Sequence, residues 1–143
     1  MERLANRWQV EYVEQDQIFR ASLGQFQPLR KRAYITQSPT NSTWGQSRIC
    51  QVRPSVPGYT YDNSAGTGTC SYVIDTGIDT SHPDFEGRAT FLVNLSGDGQ
   101  NLDANGHGTH VAGTIGGKTY GIAKKTKLYG IKVLKADGSV RNT

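Results

Sequence analysis

Two side chains that can act together on a proton, a carboxylate and an imidazole, lie in short motifs in the middle of the chain. Asp75 ends the apolar run Tyr72–Ile74 and is followed by Thr76 and a glycine. His107 follows Gly106 and begins a stretch of small residues, Gly-Thr-His-Val-Ala-Gly-Thr-Ile-Gly. In this order, aspartate before histidine, they could be two of the three groups of an Asp-His-Ser proteolytic triad, in which the carboxylate orients the imidazole and the imidazole takes a proton from serine.

The elements around both residues place them where α/β proteins build their sites. Tyr72–Ile74 is β-branched and aromatic, which predicts a buried strand that ends at the Asp-Thr-Gly turn. Sites of α/β sheets lie at the carboxyl ends of strands. The small residues after His107 predict a helix packed close to a strand, and at its N-terminus a buried anion such as Asp75 would compensate a protonated imidazole. Alternatively, Asp75 is a turn residue that bonds nearby amides.

Two other kinds of site use the same residue types. Asp-Thr-Gly is also a signature of aspartic proteases, but that chemistry needs two carboxylates that share a proton, and the sequence has no second Asp-Thr/Ser-Gly. His107 and His110 could suggest a metal pair, but a zinc-protease helix has histidines at i and i+4 with a glutamate between them. We therefore predict no metal site and no cofactor, and we expect His110 to be a packed, hydrogen-bonded core histidine.

With these motifs the chain resembles the subtilisin-like serine proteases, and among them the fungal proteinase K group. The resemblance extends from about Ala33 to the C-terminus. It includes Tyr-Asp-Asn-Ser-Ala-Gly from Tyr61, His-Pro-Asp-Phe-Glu-Gly-Arg from His82 and Lys-Thr-Tyr-Gly from Lys118. It implies a partial subtilisin-like α/β fold, in which a parallel sheet is flanked by helices on both faces and the later strands are missing. The predicted strands are Cys70 to Asp75, Ala89 to Asn94 and Leu128 to Leu134.

The resemblance also implies roles for individual residues. Asp75 and His107 would be catalytic, with His107 as the base. A substrate cleft would be lined by an apolar subsite wall and by the start of an extended segment, which are Leu134, Gly138, Ser139 and Val140. Ser139 is the only serine after His107, and it lacks the Gly-Thr-Ser-Met-Ala context of the family's nucleophile, so we expect a loop residue there.

The resemblance therefore predicts a serine endopeptidase that acts on polypeptide substrates, while this chain alone is expected to be inactive. The alternative is a protein of another class, a non-catalytic truncated fragment or a partner-binding or inhibitory fragment. An in-frame Gly-Thr-Ser-Met-Ala beyond Thr143 would distinguish the two.

Three parts are predicted along the chain. Residues 1–20 resemble the end of the family's inhibitory propeptide, because a Val-Glu-Tyr-Val-Glu element alternates apolar and polar residues as a half-buried strand does. Residues 21–37 are polar and include the dibasic pair Lys31-Arg32, which is either a processing site or part of a flexible linker. Residues 38–143 would be the N-terminal part of a peptidase domain, and the chain is expected to be truncated at both ends.

Composition and charge limit the partners. Hydrophobic residues make up 35% of the 143 residues, and 17 glycines are typical of a loop-rich α/β enzyme. The net charge of +4 is concentrated at Arg30–Arg32 and Lys124–Lys127 without a groove-reading motif, so we predict no nucleic-acid partner. Lys124–Lys127 is expected to be a solvated turn. The resemblance implies a monomer when complete.

Other features concern the compartment. The sequence has no apolar run that could span a membrane, and charges near Met1 leave no apolar core for a signal peptide. The resemblance implies an extracellular enzyme, and Asn41 and Asn94 begin glycosylation sequons. Cys50 and Cys70 could form one disulfide or both remain free. In the proteinase K group, the position of Cys70 pairs with a cysteine that would lie beyond the end of this chain.

Overall fold

A computed structural model describes residues 33–53 and 57–140 of the chain. The predicted propeptide remnant at residues 1–20, most of the link that follows it, and the pair Lys31 and Arg32 lie outside the described residues. The described elements are β1 (Tyr34–Gln37), a 3₁₀ helix (Pro39–Asn41), α1 (Trp44–Cys50), β2 (Tyr59–Asp62), β3 (Cys70–Asp75), a 3₁₀ helix (Pro83–Phe85), β4 (Ala89–Asn94), α2 (His107–Gly116) and β5 (Lys127–Lys132).

The predicted parallel sheet is present and contains three described strands in the order β3-β5-β4, with both pairs parallel. Asp75 and Lys132 are partners in the register of β3 and β5, so the carboxyl ends of these strands meet at one edge. Strand β5 ends at Lys132 and not at Leu134 as predicted. The amides of Val133 and Leu134 both donate to the carbonyl of Asp75, at 2.8 and 3.2 Å, which ends the regular ladder.

One face of this sheet packs against α2 and forms the core. The buried cluster joins strand residues, the segment after β3 and the helix, and it consists of Val73, Ile78, Phe85, Ala89, Ala112 and Leu128. Small residues four apart let the helix approach closely, because Gly108, Ala112 and Gly116 are its buried positions. A Cβ at Gly116 would lie 2.8 Å from the methyl carbon of Thr126, so glycine is required there by packing.

The opposite face of the sheet is open to solvent in the described part of the chain. Tyr72 is 60% exposed and Ile74 is 64% exposed, and the Tyr72 ring stacks on Tyr129 with ring centres 5.2 Å apart. Parallel sheets usually have both faces covered. Helix α1 does not cover this face and packs instead against β2, which pairs antiparallel with β1 in a separate two-stranded sheet.

Lys124 is buried, so the prediction that Lys124–Lys127 forms a solvated turn was wrong at this position. Its Nζ donates to the carbonyls of Thr119 and Lys118, at 2.9 and 3.1 Å, and lies 5.5 Å from the centre of the Tyr59 ring. Burial lowers the pKa of Lys124. Lys125 and Lys127 are exposed, as predicted. Lys124 can point inward because its apolar stem packs in the interior while its ammonium group bonds the carbonyls of Lys118 and Thr119.

Cys50 and Cys70 are free thiols, so they do not form the disulfide with each other that the sequence left open. Cys70 is exposed at the start of β3, while the half-buried Cys50 thiol lies 3.6 Å from the carbonyl oxygen of Gly58. Among the described helices, none has both the length and the apolar composition needed to cross a bilayer.

Candidate active site

Asp75 and His107 are in direct contact, as their motifs predicted. Nδ1 of His107 lies 2.8 Å from Oδ1 and 2.9 Å from Oδ2 of Asp75. The carboxylate is fixed at the end of β3, because the amide of Thr76 donates to its Oδ1 at 2.7 Å. The histidine is the first residue of α2. Strand end and helix start thus bring a carboxylate and an imidazole together.

The other side of the His107 ring faces solvent. Its side chain is 63% exposed, and no described residue makes a hydrogen bond to Nε2. A carboxylate only accepts hydrogen bonds, so the proton of a neutral His107 is on Nδ1 and Nε2 has a free lone pair. The ring is therefore arranged to accept a proton at Nε2 from a group in front of it.

Asp75 is held in its charged form. Burial raises its pKa, but the hydrogen bonds from His107 and from the Thr76 amide outweigh that effect, and the pKa of Asp75 lies below its ordinary value. A charged carboxylate at Nδ1 stabilises the imidazolium that forms when Nε2 accepts a proton. This arrangement is therefore suited to general-base chemistry.

A second carboxylate, Asp103, holds the start of α2. The helix N-cap is Gly106, whose φ of 94° lies in the left-handed region and which has no side chain to cap the helix. Asp103 takes that function. Its Oδ1 accepts from the amide of Gly106 at 2.9 Å, and its Oδ2 accepts from the amide of Thr109 at 2.9 Å and from the hydroxyl of Thr109. These bonds satisfy amides that would otherwise have no partner within the helix.

Thr76 connects this cap to the strand that ends at Asp75. Its hydroxyl donates to Oδ1 of Asp103 at 2.8 Å and accepts from the amide of Gly108 at 2.9 Å. Thr76 is 1% exposed, so these bonds are shielded from water. Gly108 is close enough to the strand that a Cβ there would overlap the carbonyl oxygen of Gly77. The positions of Asp75 and His107 therefore depend on one buried network.

The sequence did not identify Asp103 and Thr76 as site residues. A partial signal exists, because Asp103 lies just upstream of the helix and acidic residues favour helix N-termini. No local pattern indicates that the hydroxyl of Thr76 bridges the two elements, since its partners are far away in sequence.

His110 is exposed, so the prediction of a packed core histidine was wrong. The buried stripe of α2 contains Gly108 and Ala112, and a residue midway between them points to the opposite side of a helix. There His110 lines a groove of about 750 Å³ together with α1 and the Pro83–Phe85 turn. Asp75 forms its ion pair with His107, and among the described residues His110 makes no hydrogen bond or ion pair to it, as expected. Among the described residues, no group of histidine, cysteine, aspartate or glutamate side chains is arranged to hold a metal ion.

Of the residues predicted to line a substrate cleft, Leu134 contacts the end of β3, because its amide donates to the Asp75 carbonyl at 3.2 Å. Leu134 is half-buried and pairs antiparallel with Val140 across a turn. Gly138 has a φ of 80°, so it belongs to this turn and does not begin the extended segment as predicted. The Ser139 amide donates to Oδ1 of Asp137 at 2.9 Å, consistent with a loop residue. The turn is tied to the helix start, because Asn105, two residues before His107, donates from Nδ2 to the Ala136 carbonyl at 2.7 Å.

Comparisons with known proteins agree with this geometry. Residues 66–143 match the family model Peptidase_S8, described as the subtilase family. The chain is 57% identical over 117 residues to "Proteinase T" of Parengyodontium album, which covers 80% of this chain and 40% of that protein. It is 52% identical over 130 residues to "Cuticle-degrading protease" of Metarhizium anisopliae, which covers 91% of this chain and 30% of that protein.

A solved structure also matches. The crystal structure of a cold adapted subtilisin-like serine proteinase superposes with a TM-score of 0.65 at 42% identity, over 71% of this chain and 37% of that chain. The chain thus spans at most 40% of the length of the curated relatives named above. These fungal relatives confirm the resemblance to the proteinase K group. Because the matched region 66–143 contains both motifs, the chain belongs to the subtilase family of serine peptidases.

Proposed function

We propose that Asp75 and His107 are the carboxylate and the base of an Asp-His-Ser endopeptidase site. The observation that supports this most directly is the contact of both Asp75 oxygens with Nδ1, at 2.8 and 2.9 Å, beside a solvent-facing Nε2. The nucleophilic serine would come from a part of the enzyme that these 143 residues do not include. The substrates would be polypeptides.

In this mechanism each proton has a defined route. Asp75 keeps the Nδ1 proton in place and orients the ring, so Nε2 takes the proton of the serine hydroxyl as the serine attacks a peptide carbonyl. The imidazolium is stabilised by Asp75, and Nε2 then gives its proton to the leaving amine. Leu134, Gly138, Ser139 and Val140 would hold the substrate next to this pair.

A chimaera tests the two roles. Residues 66–143 of this chain would replace the matching segment of Proteinase T, and the product would be assayed with a chromogenic peptide and a serine-protease inhibitor. We expect inhibitor-sensitive hydrolysis. His107→Ala should reduce kcat by about 2 × 10⁶-fold and Asp75→Ala by about 3 × 10⁴-fold, the sizes measured in subtilisin, itself a member of this family.

His110→Ala is the matched control, because it lies on the same helix and points away from Asp75. Its kcat should stay within about threefold of that of the parent chimaera, since it touches no reacting group. A folded chimaera whose activity survives His107→Ala would eliminate the proposed base.

For the 143-residue polypeptide alone, we propose that peptide hydrolysis does not occur. Ser139 is the only serine after His107, and it lacks the Gly-Thr-Ser-Met-Ala context. Loss of the serine alone costs about 10⁶-fold in subtilisin. Inhibitor-sensitive turnover by the purified polypeptide, above the rate of a Ser139→Ala variant, would contradict this proposal.

We also propose that the enzyme acts outside the cell and that cleavage after Lys31-Arg32 removes the N-terminal segment. The support is the dibasic pair between residues 1–20 and the peptidase segment. N-terminal sequencing of the product from a secreting fungal host tests this. We expect a start at Ala33 for the parent sequence and an uncut N-terminus for Lys31→Gln/Arg32→Gln.

A further inference from the structure

Lys132 is a fully buried cation directly beside the candidate site. It is the last residue of β5, and its relative exposure is 0%. Its side chain points to the same face of the sheet as the buried residues Leu128 and Gly130. A buried charge is costly unless it is paired and hydrogen-bonded. Its partners therefore indicate why a lysine is placed here.

Three oxygens surround the ammonium group. Nζ donates to the carbonyl of Thr76 at 2.8 Å and to the carbonyl of Leu134 at 2.8 Å. Oδ2 of Asp98 lies 3.2 Å away and forms an ion pair with it. An ammonium has three donors and no acceptor, and two of the donors are used in hydrogen bonds to these carbonyls.

Both carbonyls belong to segments of the candidate site. Thr76 directly follows Asp75, and its hydroxyl already bonds Asp103 and Gly108 at the start of α2. Leu134 is the predicted subsite wall, and its amide donates to the Asp75 carbonyl at 3.2 Å. Lys132 therefore links the turn after Asp75 with the segment predicted to line the cleft.

The counter-charge is held in place by a structured loop after β4. Nδ2 of Asn94 donates to Oδ1 of Asp98 at 2.8 Å, and the amide of Gln100 donates to the same oxygen at 2.9 Å. These bonds hold the pKa of Asp98 well below its ordinary value. The buried hydroxyl of Ser96 in turn donates to Oδ1 of Asn94 at 2.7 Å. The loop thus presents a permanent anion to Lys132.

We propose that Lys132 is a positioning residue of the peptidase site, whose ammonium fixes the carbonyls of Thr76 and Leu134 and so sets Asp75 against His107. This inference rests on the proposed function. Replacing a buried ion pair by apolar groups often has little effect on stability. The two hydrogen bonds of Nζ to backbone carbonyls, which an apolar side chain of similar length cannot make, therefore point to geometry as the role of the cation.

The test is NMR on the ¹⁵N-labelled 143-residue chain, recorded below the concentration at which it associates. We expect the parent chain to show a Nδ1–H resonance of His107, protected by Asp75. Lys132→Met should abolish this resonance and raise amide exchange at Val133 and Leu134 at least tenfold. Exchange at Leu128, whose amide donates to the Arg88 carbonyl, should not change.

Lys127→Met is the matched control, because Lys127 is on the same strand and is exposed. It should leave the His107 resonance and the three amides unchanged. If Lys132→Met raises exchange at Leu128 as well, this variant has lost its fold. Asp98→Asn then becomes the variant that tests the proposal. That variant should raise exchange at Leu134 and not at Leu128, and an unchanged Leu134 would overturn the proposal.

Failure of this inference and failure of the proposed function have different signatures. A His107 resonance that is present in the parent and persists in Lys132→Met overturns the positioning role alone. A parent chain with no protected Nδ1–H contradicts the catalytic pair itself, and the positioning role is then overturned with it.

Discussion

At the scale of single residues, the carboxylate of Asp103 makes the stability of the start of α2 depend on pH. Burial raises its pKa, but hydrogen bonds from Thr109, Gly106 and Thr76 lower it below the ordinary value. A carboxyl group with a lowered pKa stabilises the fold fully above its unfolded pKa of about 3.9, and this stabilisation is lost as the pH falls through the folded pKa. The thermal midpoint should therefore fall on acidification below about pH 4.

Asp103→Asn should lower the free energy of unfolding at pH 7 by about 1–3 kcal/mol, since it weakens several bonds to a charged acceptor. It should also flatten the dependence of the thermal midpoint on pH. Asp137→Asn is the control, because that carboxylate is exposed and solvent screens its contribution. Equal flattening by both variants would show that the helix cap is not the source of the pH dependence.

The two sequons differ in the structure, although they were equivalent in the sequence. Asn94 is engaged through its side-chain amide, which donates to Oδ1 of Asp98 and to the Gln100 carbonyl at 2.8 and 3.0 Å. Asn41 is exposed, and within the described residues its side chain makes no hydrogen bond. A glycan on Asn94 would displace the loop that holds Asp98.

We therefore expect the folded product of a secreting fungal host to have a glycan at Asn41 and none at Asn94. Mass spectrometry of peptides before and after glycosidase treatment measures both sites, and Asn41→Gln should remove the whole mass increment. A folded product glycosylated at Asn94 would contradict this interpretation of the loop.

Sequence reasoning succeeded for residues whose surroundings are local. Asp75 follows a short apolar strand and His107 begins a helix of small residues, so each motif contains its own structural context. Lys132 binds the Thr76 carbonyl and pairs with Asp98, both distant in sequence, and no local pattern identifies it. Asp103 gives only the partial signal of an acidic residue just before a helix. His110 was mispredicted because its motif suggests packing, whereas the side of α2 that is buried depends on the position of the sheet.

At the scale of elements, the contact between α2 and β3 depends on Gly108. A Cβ there would overlap the Gly77 carbonyl and lie 3.2 Å from the Cβ of Asp75, so the helix would have to move. Gly113 is in the same helix, and a Cβ there would meet nothing within 4 Å. The two glycines therefore offer a matched pair of substitutions.

Gly108→Ala should destabilise the chain by about 1–3 kcal/mol, the usual cost of overpacking. Gly113→Ala should stabilise it by up to about 1 kcal/mol, because alanine favours the helix. Urea unfolding followed by circular dichroism measures both changes. If Gly108→Ala also stabilises the chain, helix propensity rather than close approach determines the stability of α2.

The strands and α2 were predictable because β-branched runs and spaced small residues are local signals. The end of β5 was not, because Leu134 leaves the ladder to pair with Val140, and that choice depends on the following turn. Local patterns also do not show which segments cover the two faces of the sheet. Apolar residues at alternate positions predict buried faces, but they do not specify which segment covers each face.

At the scale of the whole molecule, the open face of the parallel sheet dominates the expected behaviour. Tyr72 and Ile74 on β3, with Leu92 and Val93 on β4, are between 40% and 64% exposed. In the described residues β3 and β4 also have unpaired outer edges. Adjacent apolar side chains and free strand edges favour association of chains.

We therefore expect the 143-residue chain to bind an apolar fluorescent dye and to sediment as a concentration-dependent mixture. Ile74→Lys should reduce dye fluorescence and association without lowering the unfolding midpoint, because it adds charge to an exposed position and removes no core contact.

Leu95→Lys is the control, since Leu95 is 63% exposed but lies after the end of β4, outside the sheet. A monomeric parent chain with a cooperative thermal transition and no dye binding would show that this face does not behave as an exposed apolar surface. Reduced association in Leu95→Lys, equal to that in Ile74→Lys, would instead attribute the effect to net charge.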